Sequence, residues 1–191
     1  MHACERLRMN PIVRSAQRRL PFLTSFLSVL VAAGVGCARL PRTDSAVRDT
    51  SIDLQRQLIN LGERVDETEA ANLAQVAIVE AKNLAREYQA AGPPWFHNMM
   101  VNGRLKKRGL CYHWTNDLFS RLNALGLRSL DLHLAVARRE TSREHNAVVV
   151  TAGGQPFEHG LVLDAWRGSG TLFAGPVLGD KYPWKPLSSA E

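Results

Sequence analysis

The hydrophobic pattern of this chain changes period once, at Gly126. Before it, apolar residues recur at helical spacing; after it come short β-branched runs divided by polar or Gly/Pro-containing turns. Helices first and strands after is the order of an α+β domain, with N-terminal helices packed on an antiparallel sheet. The segment 67–91 has strong helix formers and no Gly or Pro, and Gly92-Pro93-Pro94 ends it, which predicts one long amphipathic helix. Residues 53–61 predict a shorter helix closed by Gly62, and 92–109 read as loop. A further helix is predicted over 111–125, with Trp114, Leu118, Leu122 and Leu125 as its apolar stripe and Gly126 as its stop. Strands are expected over 130–137, 147–150 and 161–163, the last running into Asp164. Gly168-Ser169-Gly170 then makes a turn into a short strand at 171–174. The segment Tyr182-Pro183-Trp184-Lys185-Pro186 is expected to pack across the domain. No internal repeat is present.

The N-terminus reads as an address. Five arginines precede Leu20, an apolar stretch follows to Gly36, and small residues lead into Cys37, the layout of a secretory signal. The stretch is too short, and too rich in Gly and Ala at its end, for a comfortable membrane span. Translation from Met9 would shorten the basic region. Gly34-Val35-Gly36-Cys37 resembles the lipobox of bacterial lipoproteins, with Gly34 where that pattern has an aliphatic residue. The resemblance implies cleavage before Cys37, lipidation of Cys37, and anchoring to the membrane by acyl chains. With Ala38 next, sorting to the periplasmic face of the outer membrane is expected. A plain signal peptide giving a soluble periplasmic protein, or an uncleaved anchor, is the alternative. The expected organisation is therefore a signal segment over 1–37, a polar flexible tether over 38–52, and one domain over 53–191.

Charge adds little to this. Of 24 Lys and Arg and 18 Asp and Glu, five Arg and one Glu precede Cys37, so the remainder is nearly neutral. The one basic run in the body, Arg104-Leu105-Lys106-Lys107-Arg108, has no aromatic interleaving, and no nucleic-acid partner is expected.

Of the three cysteines, Cys4 and Cys37 belong to the leader, and Cys111 stands alone in the folded part. An unpaired thiol in an exported protein is either reactive or buried as a small apolar residue. Its neighbours favour reactivity. Cys111 is expected in the first turn of a helix, where free N–H groups and the positive dipole end favour a thiolate. Downstream, His145 opens one strand and Asp164 closes the next. A four-residue loop over residues 153–156, with Ala152 facing Phe157, would set His145 directly opposite Asp164 on one side of the sheet. An imidazole held by a carboxylate and placed by a thiol is the arrangement of nucleophilic cysteine catalysis. The Cys111 N–H and an upstream side chain (Trp95, Asn98 or Asn102) are candidate oxyanion donors. His113, two residues after Cys111 on a helix, should point away. Neither zinc-type spacing nor an acidic calcium loop occurs, so no metal or organic cofactor is expected.

The stretch from Gly109-Leu110-Cys111 to Leu125-Gly126, the Glu144-His145-Asn146-Ala147 strand and Val162-Leu163-Asp164-Ala165-Trp166 together resemble the core of the transglutaminase-like (papain-like) cysteine enzymes, in the order Cys, His, Asp. The match spans about 94–174. Asn146-Ala147 departs from that family, which often has an aromatic residue near the histidine. The resemblance implies Cys111 as nucleophile, His145 as general base and acid, and Asp164 as orienting group. It also implies acyl transfer through a thioester on a peptide or protein amide, with peptidoglycan among the candidate substrates. The competing expectation is a non-catalytic envelope lipoprotein that uses the same fold to bind a protein or peptidoglycan.

Overall fold

The computed structural model describes residues 43–187. The expected signal segment, the lipid site Cys37 and the first residues of the tether lie outside them. Four helices come first: α1 (Thr43–Ile59), α2 (Glu67–Glu87), α3 (Pro94–Asn102) and α4 (Cys111–Asn123). Strands β1 (Leu130–Ala137), β2 (His145–Ala152), β3 (Leu161–Gly168), β4 (Thr171–Pro176) and β5 (Trp184–Pro186) follow, with a 3₁₀ turn at Phe157–His159. The sheet runs β4-β3-β2-β1-β5 with every pairing antiparallel. The α+β architecture expected from the change of period is thus observed. Among the described residues no helix is long and apolar enough to cross a membrane.

Helix α2 carries the core. Ala70, Leu73, Ala74, Ala77, Ala81 and Leu84 are fully buried, a stripe at alternating three- and four-residue steps that keeps one helix face inward. Its alanines let neighbours approach closely. They meet Leu54 and Leu58 of α1, Trp114, Leu118 and Leu122 of α4, and one face of the sheet through Val148, Val150, Leu161 and Leu163. The opposite face of the sheet has a smaller core, in which Ala147, Val149 and Val162 pack against Val177 and Trp184. Both faces of β2 are covered, so all eight of its residues are buried.

Several boundaries differ from expectation. Helix α1 starts at Thr43, so residues 43–52 are helical and the tether reading is corrected there. The apolar anchors of α1, Leu54 and Leu58, lie one turn apart in its C-terminal half. The polar residues before them continue the helix without an apolar period of their own. Helix α2 stops at Glu87, with Gln89 in the left-handed region at φ 50, short of the expected 91. The segment read as loop at 92–109 contains α3, whose Pro94 sits at its first turn with Pro93 as N-cap. Proline is tolerated there because the first helical N–H has no intrahelical acceptor in any case. Helix α4 stops at Asn123 with Ala124 as C-cap, short of the expected 125, and Gly126 follows at φ 64.

The start of α2 is fixed by Asp66, whose carboxylate accepts from the Thr68 and Glu69 N–H groups. Asp66→Ala is expected to cost about 1 kcal/mol, the usual worth of an N-cap, read as a lower urea midpoint at unchanged slope. An unchanged midpoint would mean that water replaces the cap at no loss.

Candidate active site

Helix α4 begins at Cys111 because the three residues before it are held from several sides. The buried His97 of α3 donates from Nε2 to the Arg108 carbonyl at 3.0 Å. The Arg108 guanidinium reaches both carboxylate oxygens of Asp117, at 2.8 and 2.7 Å. The buried Trp114 indole donates to the Gly109 carbonyl at 2.9 Å. His113 Nδ1 accepts from the Gly109 and Leu110 N–H groups, both at 3.2 Å, so His113, expected only to point away from Cys111, turns back onto the helix start and fastens it. Gly109 has φ 119, and a Cβ there would lie 2.1 Å from His97 Nε2, so only glycine lets the chain pass at this point. The result is a first-turn cysteine whose own N–H has no acceptor within the helix.

His145 and Asp164 meet as expected, by a different register. Val148 pairs with Leu163, Val149 with Val162 and Val150 with Leu161. The expected four-residue hairpin loop is replaced by a longer connection, because Phe157–His159 winds into a 3₁₀ turn before β3 starts. The ladder is therefore displaced by two residues, and its continuation sets Trp166, not Asp164, across from His145. Side chains alternate faces with period two, so a two-residue displacement keeps Asp164 on the same face, as a diagonal neighbour. The Nε2–Oδ2 distance is 2.7 Å, and the two side chains are 3% and 1% exposed. A carboxylate only accepts, so the proton on the bonded nitrogen belongs to Nε2 and the neutral ring carries its free lone pair on Nδ1. That Nδ1 is buried and has no hydrogen-bond partner among the described residues.

Cys111 lies beside this pair. Its sulfur is 3.9 Å from the Glu144 carbonyl oxygen and 3.6 Å from Asn146 Nδ2. Burial pushes the Cys111 thiol up, but His145 and Asn146 outweigh it and bring the thiol below its ordinary value. Burial pushes His145 down, but Asp164 and then Cys111 outweigh it and raise the imidazole above its ordinary value. Both shifts act in the direction that favours a thiolate beside an imidazolium.

An aromatic wall closes around the imidazole. Trp166, Tyr182 and Trp184 have ring centroids 4.6, 4.6 and 5.4 Å from that of His145. The C-terminal segment expected to pack across the domain does so here, with Trp184 in β5 against β1. Behind the wall, Arg167 ties the site together. Its Nε donates to Asp164 Oδ2 at 3.0 Å and its two terminal nitrogens to Asp180 at 3.1 and 2.7 Å. Asp180 also accepts from the Trp184 indole at 2.8 Å.

The three upstream oxyanion candidates fare unequally. Trp95 is 66% exposed, and Asn102 is an exposed residue at the end of α3. Asn98 accepts from the Trp166 indole at 3.1 Å, which joins it to the wall around His145. Among the described residues no group of three or more His, Cys, Asp or Glu side chains is placed to hold a metal.

No family model, curated protein or solved structure matches the chain. The reading of the site therefore rests on its geometry. Sequence reasoning missed Arg167, Asp180 and Asn146. The first two are thirteen residues apart and joined only by folding. Asn146 did leave a signal: a polar amide inside His-Asn-Ala-Val-Val-Val needs a partner if that strand is buried.

Proposed function

We propose that this chain is a transglutaminase-like cysteine enzyme that transfers acyl groups through a thioester on Cys111. The observation that carries the proposal is the buried His145–Asp164 pair, which leaves Nδ1 as the one basic nitrogen beside a helix-start thiol. In the first step Nδ1 takes the thiol proton and Sγ attacks the amide carbonyl. The imidazolium then gives that proton to the leaving amine, and the acyl group stays on sulfur. Water, or a second amine, next attacks the thioester and gives its proton to Nδ1, and the thiol is released. Asp164 keeps the ring in the tautomer that the first step needs. The side chains of this chain suffice for each proton transfer. The substrate class is a peptide or protein amide, with peptidoglycan cross-links or stems as candidates at the cell envelope. That location rests on the signal-like leader and on Cys37 as lipid site.

The test is alkylation of Cys111 by iodoacetamide as a function of pH, in wild type and His145→Ala. Wild type is expected to react at a lower pH than free thiols do, because His145 and Asn146 outweigh burial and lower the thiol. His145→Ala removes the main force opposing burial, so its profile should move to higher pH. An ordinary thiol profile in both proteins would sink the enzyme reading and leave a binding lipoprotein in its place. Trapping of an acyl group on Cys111 by an activated ester, located by mass spectrometry, checks the thioester itself.

A further inference from the structure

Strand β2 presents two consecutive residues to one sulfur. Val148, Val150 and Ala152 belong to the face on which the helices pack, whereas Ala147 and Val149 belong to the other. By alternation Asn146 emerges on the helix-covered face and His145 on the opposite one. Cys111 is the first residue of α4 and lies where β2 begins, so it meets both. His145 provides the base. Asn146, 9% exposed, brings its amide nitrogen to 3.6 Å from Sγ and 3.5 Å from Glu144 Oε1. Both neighbours are acceptors, which orients the side chain with its NH₂ group, not its carbonyl, toward the sulfur.

We infer that Asn146 is a catalytic residue that donates from Nδ2, together with the Cys111 N–H, to the oxyanion formed when Sγ attacks a carbonyl. The inference rests on the acyl-transfer reading above. In that step the sulfur lone pair forms the C–S bond and the carbonyl π pair moves onto oxygen. The new oxyanion is one carbon away from sulfur, so a donor 3.6 Å from Sγ can come within the required distance of about 2.7–3.1 Å. When the oxyanion collapses, its pair re-forms C=O and the leaving group departs with the electrons of the bond it breaks. The Cys111 N–H approaches along the helix axis and Asn146 from the strand, so the two donors converge without a residue from α3. This also gives a physical role to the amide in a strand whose other central residues are Ala and Val.

The experiment compares two reactions of the same thiol. Alkylation by iodoacetamide is a displacement at a saturated carbon that expels iodide and forms no oxyanion. Acylation by p-nitrophenyl acetate forms one and then expels p-nitrophenolate. Both rates are measured at the alkaline plateau, where the thiol is fully ionised in every variant. In Asn146→Ala acylation should fall about 100-fold, the effect of removing one oxyanion donor, while alkylation stays at the wild-type rate. The near-isosteric Asn146→Asp should show the same split and serves if the alanine variant does not fold. Rates that are both unchanged, or that fall in equal proportion, would overturn the inference and confine Asn146 to packing or to the thiolate. A wild-type protein that acylates no faster than free cysteine would instead sink the acyl-transfer reading itself, and this inference with it.

Discussion

Arg167→Ala is expected to destabilise the domain by about 3–5 kcal/mol, because it removes a cation that bridges two buried carboxylates. The Arg167, Asp164 and Asp180 side chains are 14%, 1% and 5% exposed. Their interactions are hardly screened by water, and losing the cation leaves charge with little solvation. The guanidinium also lies over the Phe173 and Tyr182 rings, 3.7 and 4.9 Å from their centroids, so its removal opens space between them. Arg167→Lys should recover little, since one ammonium cannot present nitrogens to both carboxylates in the fixed fork that spans them here. The pH dependence separates charge from packing. Burial pushes the Asp180 carboxyl up, but Arg167 and the Trp184 indole outweigh it and hold it below its ordinary value. A carboxyl lowered by folding adds stability above its unfolded value, and that stability is lost as the pH falls through the folded value. In the alanine variant burial persists and the main opposing partner is gone. Asp180 should then titrate above its ordinary value, so its penalty is relieved by acid. The stability gap between wild type and variant is therefore expected to narrow from about pH 7 toward about pH 4, measured by urea unfolding at each pH. A constant gap would mean that Arg167 contributes by packing alone.

The same network explains why part of the site was legible in the sequence and part was not. Cys111 and His145 each open an element whose period is plain in the sequence, so their meeting with Asp164 could be anticipated, although β3 continues past Asp164 to Gly168 instead of closing there. The connection between β2 and β3 is longer than the expected four-residue loop, but the displacement is even and keeps His145 and Asp164 on one face; a slip of one residue would send Asp164 into the helix-packed core. Helix α3 was hidden by Pro93 and Pro94, residues that interrupt a helix inside it but are compatible with its start. Arg167 lies near the end of β3, next to the Gly168-Ser169-Gly170 turn, and nothing local distinguishes a surface arginine from one that joins two buried aspartates. Its partner Asp180 arrives with a C-terminal segment that crosses back to cover His145. The structure thus adds long-range polar partners to a framework set by local periodicity. Polar partners are chosen by geometry, and hydrophobic period does not encode it.

Gly109→Ala should impair the candidate site strongly. Two costs combine at this position. The backbone φ of 119 is a conformation that side chains disfavour, and the new Cβ would fall 2.1 Å from His97 Nε2. Backbone strain of about 1–3 kcal/mol and overpacking of about 1–3 kcal/mol give an expected loss of about 2–6 kcal/mol. His97 has little freedom to yield, since it is 2% exposed and its Nε2 holds the Arg108 carbonyl. The chain before Cys111 must shift instead. The body of α4 is anchored independently by Trp114, Leu118 and Leu122 in the main core. The damage should therefore concentrate at the helix start, where the thiol meets His145. The expected signature is a lowered unfolding midpoint together with an alkylation profile of Cys111 displaced toward that of a free thiol. His97→Ala in the same chain separates the two costs: it removes the overlap and leaves the backbone strain. The double variant should recover part of the stability relative to the sum of the single changes, a coupling of about 1–3 kcal/mol of opposite sign to the losses. Strict additivity would show that His97 and residue 109 do not compete for space, and would leave the glycine explained by its backbone alone.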